Sequence, residues 1–248
     1  MKRINWNFYP LKSGMVILAM ACLFASSSVF ADGDTRVTTK AEKDFAKSVY
    51  DVFAKALPSG PEGWERSEAT EVKEVTSVYS NAGEPFLLEY MVAWQDSKRL
   101  QEAKMKENEE LEKLAKGPVE NLTDKNIQEI SKKTAAHDAT LKITLEANRF
   151  SVGLYDKAAP AASIAGGLVF KSESKFDGSW REGTTYIFLG KGWKLTASGG
   201  QYVETSAAKG APSAAAQTIV VKIQADPERT KQVISKIDWE ALKKLIKN

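Results

Sequence analysis

A change of hydrophobic period partway along the chain constrains its fold more than any other feature. Leu141, Ile143, Leu145 and Ala147 alternate with Lys142, Thr144, Glu146 and Asn148. That is the period-two pattern of a strand with one apolar and one wet face. Further strand signals follow at Phe150 to Tyr155, after a turn or bend at Asn148 and Arg149, then at Gly167 to Phe170 and Thr184 to Leu189. "GKG" at 190–192 predicts a hairpin turn into a strand over Trp193 to Ser198, with Trp193, Leu195 and Ala197 on one face. Tyr202 and Val203 begin a short strand, and "TSAAKGAPSAAA" reads as a mobile loop. The last strand spans Gln217 to Gln224, with Ile219, Val221 and Ile223 together.

Ahead of that region the period is helical. Thr39 and Glu42 form a Thr-x-x-Glu capping box, and Phe45, Ala46, Val49, Phe53, Ala54 and Leu57 follow as one stripe. Pro58, Gly60, Pro61 and Gly63 end the helix, and Trp64 packs the linker on the core. Val72, Val75 and Val78 recur every third residue, and the β-branched composition of residues 65–80 favours a strand. Phe86, Leu88, Tyr90, Val92 and Trp94 share one face, opposite Leu87, Met91 and Ala93, which predicts a strand covered on both sides.

"DSKRLQEAKMKENEELEKLAKG" is almost all helix formers and charges, capped by Asp96 and stopped by Gly117 and Pro118. Glu102 with Lys106, Glu109 with Lys113 and Glu112 with Lys116 are favourable pairs four apart. Its apolar seam is too weak for a heptad, so it reads as a solvated helix lying on the sheet, with a partner-binding or dimerising helix as the alternative. A second helix starts at Thr123 or Asp124 and runs to about His137. Asp226 with Pro227 opens a closing helix bearing Val233, Ile234 and Ile237, and Asp238 recaps a short one bearing Trp239, Leu242, Leu245 and Ile246.

These elements predict an α+β fold. An antiparallel sheet of about 6–8 strands carries amphipathic helices on one or both faces, because most connections are of hairpin length. A helix-rich part covers 38–137, a mainly β part 139–225 and the closing helix 227–247. The layout resembles small secreted α+β domains of the PsbP-like kind, but no motif carries the likeness and no family is assigned.

The first 31 residues read as a secretory signal: Lys2, Arg3 and Lys12, then an apolar run from Met15 to Phe24, then small residues up to Ala31. Cleavage is expected between Ala31 and Asp32, leaving a single domain over 32–248. The apolar run falls short of the ~20 residues of a membrane span. Two alternatives remain open, an uncleaved anchor and lipidation at Cys22, which follows Leu18, Ala19, Met20 and Ala21. Removal of the segment takes three of the 35 basic residues and none of the 32 acidic ones, so the formal charge of +3 falls to about zero. No basic footprint for nucleic acid survives that cut. The only cysteine goes with it, and with it any disulfide, Cys-based zinc site or thiol nucleophile.

The usual catalytic signatures are absent from the sequence. It contains no His-Glu-x-x-His, Gly-x-Ser-x-Gly or Cys-x-x-Cys, and a single histidine, His137, cannot build a multi-histidine metal site. His137 is expected to pack or cap the end of its helix. "GKGWK" lacks the spacing of a phosphate loop. Ser172 and Lys175 match Ser-x-x-Lys but sit in a loop between strands, without the later motifs of penicillin-recognising enzymes. Glu146, Asp156, Asp177 and Glu182 lie in the sheet half near Trp180 and Trp193, so an acid pair at Asp177 and Glu182 acting on a glycan is one alternative. No cofactor is expected. The preferred expectation is an exported, periplasmic or secreted, non-catalytic binding or envelope-associated domain. Its partner would be an envelope protein, a cell-wall component or a small ligand, with a membrane involved only if the signal is retained or lipidated.

Overall fold

The computed structural model describes residues 35–80, 83–155, 158–176, 180–196 and 201–247. Cys22, Ala31, Asp32, Asp156, Asp177 and Ala197 lie outside them. The unit from Arg36 to Asn248 contains every element that follows. In order these are β1 (Arg36–Val37), α1 (Lys40–Ala56), β2 (Glu65–Ala69), β3 (Ser77–Val78), β4 (Leu88–Gln95), α2 (Ser97–Ala115) and a 3-10 turn at Val119–Asn121. Next come α3 (Asp124–Thr134), β5 (Thr140–Ala147), β6 (Ser151–Gly153), β7 (Ala159–Ile164), β8 (Gly167–Lys171), β9 (Lys175–Phe176) and β10 (Trp180–Arg181). The chain closes with β11 (Thr184–Gly190), β12 (Lys194–Thr196), β13 (Tyr202–Glu204), β14 (Thr218–Gln224), α4 (Pro227–Lys236) and α5 (Trp239–Leu245).

Seven strands form one antiparallel sheet in the order β2-β4-β5-β14-β11-β8-β7, so the α+β class expected from the sequence is what the chain adopts. β14, the last strand in sequence, is the middle of the sheet. Its register carries one apolar rung straight across: Tyr90, Leu145, Val221, Ile187 and Val169 are successive partners, and all are buried. Burying each such side chain contributes roughly 1.5–3 kcal/mol. A one-residue slip of β14 would turn its whole row to the wrong face.

Helices cover this inner face. α1 contributes Ala46, Val49, Phe53 and Ala56, α4 contributes Val233, and α5 contributes Leu242. Phe45 meets Phe86 edge-on at 6.0 Å between ring centroids. The caps fall where the sequence puts them: Thr39 and Glu42 make the full capping box, Asp226 accepts from the N–H groups of Glu228 and Arg229, and Asp238 accepts from Ala241. The Asp238 N–H also donates to the Ala56 carbonyl at 2.9 Å, joining the end of α1 to the start of α5.

The outer face of the sheet is half covered. β12, β13 and β6 form a separate three-stranded antiparallel sheet. Its Val152 and Val203 pack with Phe170, Tyr186, Phe188 and Val220 of the large sheet into a second core. Phe188 lies 4.9 Å from the ring of Trp193.

The structure corrects several expectations. Within 65–80 only β2 and the two-residue β3 are strands, because the three-residue spacing of Val72, Val75 and Val78 presents no continuous strand face; β2, "ERSEA", holds no large apolar residue and is exposed throughout. The strand expected at Phe86 to Trp94 begins at Leu88 and ends at Gln95, and Leu87 is left exposed. The "GKG" turn does not make a hairpin with β11. Both edges of β11 are already taken by β14 and β8, so Gly190 and Gly192, at φ of +110° and +79°, lead the chain out of the large sheet to β12, which pairs with β13. β7 was not expected, since "APAASI" has no apolar alternation. It is an edge strand, where Pro160 is tolerated, joined to β8 through Ala165 and Gly166 at positive φ.

The helical hairpin also differs. α3 stops at Thr134, whose hydroxyl donates to the Ile130 carbonyl, and the chain then turns so that β5 can run beside β4. His137 therefore lies beyond the helix and is exposed. α2 has no buried residue, and α3 buries only Thr134. The two helices pack on each other, with Ser131 donating to Glu107 across the pair, and α2 is anchored at its start by Arg99 to Asp138 at 2.8 Å.

Candidate functional site on the open sheet face

Alternation places a second kind of residue on the same strands. Between the core-facing residues of β4, β5, β14 and β11 stand Met91, Thr144, Lys222 and Tyr186, partners along the outer rung adjacent to the apolar one. The next rung carries Lys142, Gln224 and Thr184. The three-stranded sheet covers this face only toward β11 and β8, and beside it a groove of ≈ 240 Å³ remains. Its rim is made by Glu89 on β4 and by Gly153 and Tyr155 at the end of β6.

The rim is fixed by hydrogen bonding from below. The Tyr155 N–H donates to the Tyr186 hydroxyl at 3.2 Å, and the two rings stand 6.4 Å apart. Tyr186 is buried, whereas Tyr155 is 53% exposed and turns an aromatic surface to solvent. The Arg181 guanidinium lies 6.0 Å from the Tyr155 ring centroid, at cation–π distance.

Charges in and under the groove are matched one against another. Glu146 is only 1% exposed, so the wet side expected for β5 is in fact closed over this carboxylate. Arg149 donates to one of its oxygens through Nη2 at 2.8 Å and Nε at 3.1 Å, and Lys222 Nζ lies 2.8 Å from the other. Arg149 also stands 3.9 Å from Glu89, and Lys142 lies 3.3 Å from Glu68 on β2. A buried carboxylate is tolerated only when paired in this way. The consequence is a polar groove with little net charge.

Chemically the groove offers ammonium donors, a carboxylate acceptor, the hydroxyls of two threonines and two tyrosines, and an amide beside an aromatic face. No histidine or cysteine lines it. Among the described residues, no three His, Cys, Asp or Glu side chains cluster closely enough to hold a metal ion. No helix among them is long and apolar enough to cross a membrane.

Of the carboxylates singled out in the sequence, only Glu146 comes to the site, under the groove between Arg149 and Lys222. Asp177 is outside the described residues, and Glu182 is half-buried between β10 and β11 and does not line the groove. Trp193 packs on Phe188 and donates its indole N–H to the Leu189 carbonyl at 3.1 Å, so it is a half-buried residue braced against the second core. Ser172 Oγ accepts from the Thr184 N–H at 3.0 Å in the connection after β8 and opens no helix. Lys142, Tyr155, Lys222 and Gln224 were not expected. Polar residues at alternate positions of otherwise apolar strands carried that signal, but their partners across the sheet are set by a register that pairs β5 with β14 over about 70 residues of chain.

Comparison with protein-family models, with curated proteins and with solved structures finds no match to the chain in any of the three.

Proposed function

We propose that the protein is an exported, non-catalytic binding domain that holds a small polar ligand in the groove on the outer face of its large sheet. One observation carries this reading. The fold closes the outer face over β11 and β8 with a second core but leaves polar side chains of β4, β5 and β14 facing a concave space. Concave sites with convergent polar groups are where small ligands bind. Export rests on the basic, apolar and small-residue segments of residues 1–31.

Thermal-shift screening against a library of saccharides, amino acids, short peptides, polyamines and dicarboxylates tests the binding role. At least one solute should raise the melting temperature, and Thr144→Trp, which fills the groove from its floor, should abolish that rise. Stabilisation by every active solute that survives Thr144→Trp would remove the groove from the function. An intact mass starting at Asp32 in a soluble envelope or secreted fraction is the expected result for export. A diacylated mass at Cys22 would instead put the domain on a membrane surface.

A further inference from the structure

Resting on that binding role, we propose that the groove takes one ring of a neutral saccharide. Three features of the site lead to this class. First, its charges are already compensated. Lys222 and Arg149 share the buried Glu146, and Lys142 has Glu68. A ligand carrying net charge would have to displace one of these carboxylates or cations, and for Glu146 that means unpairing a buried ion.

Second, unused hydrogen-bonding capacity remains after the ion pairs are made. Each lysine ammonium has three protons and uses them only in part, while the Thr144 hydroxyl and the Gln224 amide can each donate and accept. Such a mixture suits hydroxyl groups, which also do both. Third, Tyr155 presents an aromatic surface at the rim, held in place by the bond from its own N–H to Tyr186. The C–H face of a sugar ring is the apolar surface that fits against it, leaving the hydroxyl edge for the strand side chains. At ≈ 240 Å³ the space is below the ~300–1,000 Å³ of sites for drug-sized ligands, which favours a single ring over an extended chain.

The test is an amide chemical-shift titration of the purified protein with six single-ring or two-ring probes. Glucose, galactose, N-acetylglucosamine and maltose are neutral, glucuronate is anionic and glucosamine is cationic. A neutral saccharide should move the amides of Thr144, Tyr155 and Lys222 in a saturable way. Tyr155→Ala should weaken that binding about tenfold or more through loss of the aromatic surface, and Tyr155→Phe should keep it. Lys191→Ala, on the exposed turn after β11, should leave affinity unchanged. Groove shifts from glucuronate or glucosamine alone, or saccharide affinity indifferent to Tyr155→Ala, would overturn the saccharide class. Silence from all six probes while a library solute still stabilises in a Thr144-dependent way would overturn the class and leave the binding role standing. Silence in both experiments would overturn both.

Discussion

Two buried polar residues show how much of this structure depends on single side chains. Asn148 has a φ of +59° and is buried, and it ties three segments together. Its Nδ2 donates to the carbonyls of Phe86 and Ala215 at 3.2 and 3.0 Å, and its Oδ1 accepts from the Gln217 N–H at 2.9 Å. Asparagine is among the few residues that accept this backbone conformation. Asn148→Ala should therefore cost about 3 kcal/mol in urea denaturation, with the m-value unchanged, because two buried carbonyls and one N–H lose their partner. Glu42 is the second. Arg36 clasps both of its oxygens, at 2.9 and 2.6 Å, and with help from Thr39 and Ser213 this holds the carboxyl well below the usual carboxylate range against the opposing effect of burial. A depressed folded value means the stabilisation is complete above the ordinary value near 4.5 and is lost as pH falls from there toward the folded value. Unfolding free energy should drop below about pH 4.5, and Glu42→Gln should flatten that acid limb while lowering stability at neutral pH by about 2 kcal/mol. The capping box behind Glu42 was legible as Thr-x-x-Glu. The Arg36 clasp was not, because it exists only once β1 pairs with β3 and brings Arg36 over the helix start.

At the scale of elements, local signals are legible in the sequence and partnerships are not. The caps of α1, α2, α4 and α5 and the strands β4, β5, β8, β11 and β14 follow from residues close together in sequence, where propensity, capping and alternation agree. The route of the chain after β11, and β7 itself, depended on which sheet edges were already occupied. The expected pairs on α2 were likewise reshuffled: Glu112 and Lys116 meet at 3.5 Å, but Lys113 pairs with Glu110. Exposed ion pairs of this kind are worth little, and neither α2 nor α3 places an apolar side chain in the core. The hairpin should open locally, so amides of α2 and α3 should exchange at least ~100-fold faster than those of β5 and β14. Comparable protection in both would show that α2 and α3 are held by more than each other. The linker after α1 makes the opposite case. Gly60 passes so close to the Trp94 indole that a Cβ there would sit 2.3 Å from the ring. Gly60→Ala should destabilise by about 1–3 kcal/mol, seen as a lowered melting temperature, because the ring must move out of a packed core.

For the molecule as a whole, the two faces of one sheet have been given different work. The inner face is sealed by α1, α4 and α5, and the outer face is closed by a small sheet at one side and left concave and polar at the other. Both edges of the sheet are unsuited to adding a further strand: β2 carries charges and a bulge, and β7 carries Pro160 and a register shift. The proposed binding role therefore belongs to the outer face, beside the small sheet. An amide chemical-shift map of the protein titrated with its strongest stabilising solute tests this most directly. Saturable shifts should concentrate at residues 89–91, 142–144, 153–155, 184–186 and 222–224 and vanish in Thr144→Trp. Shifts confined to the α2 and α3 hairpin, with the outer strands silent, would contradict it.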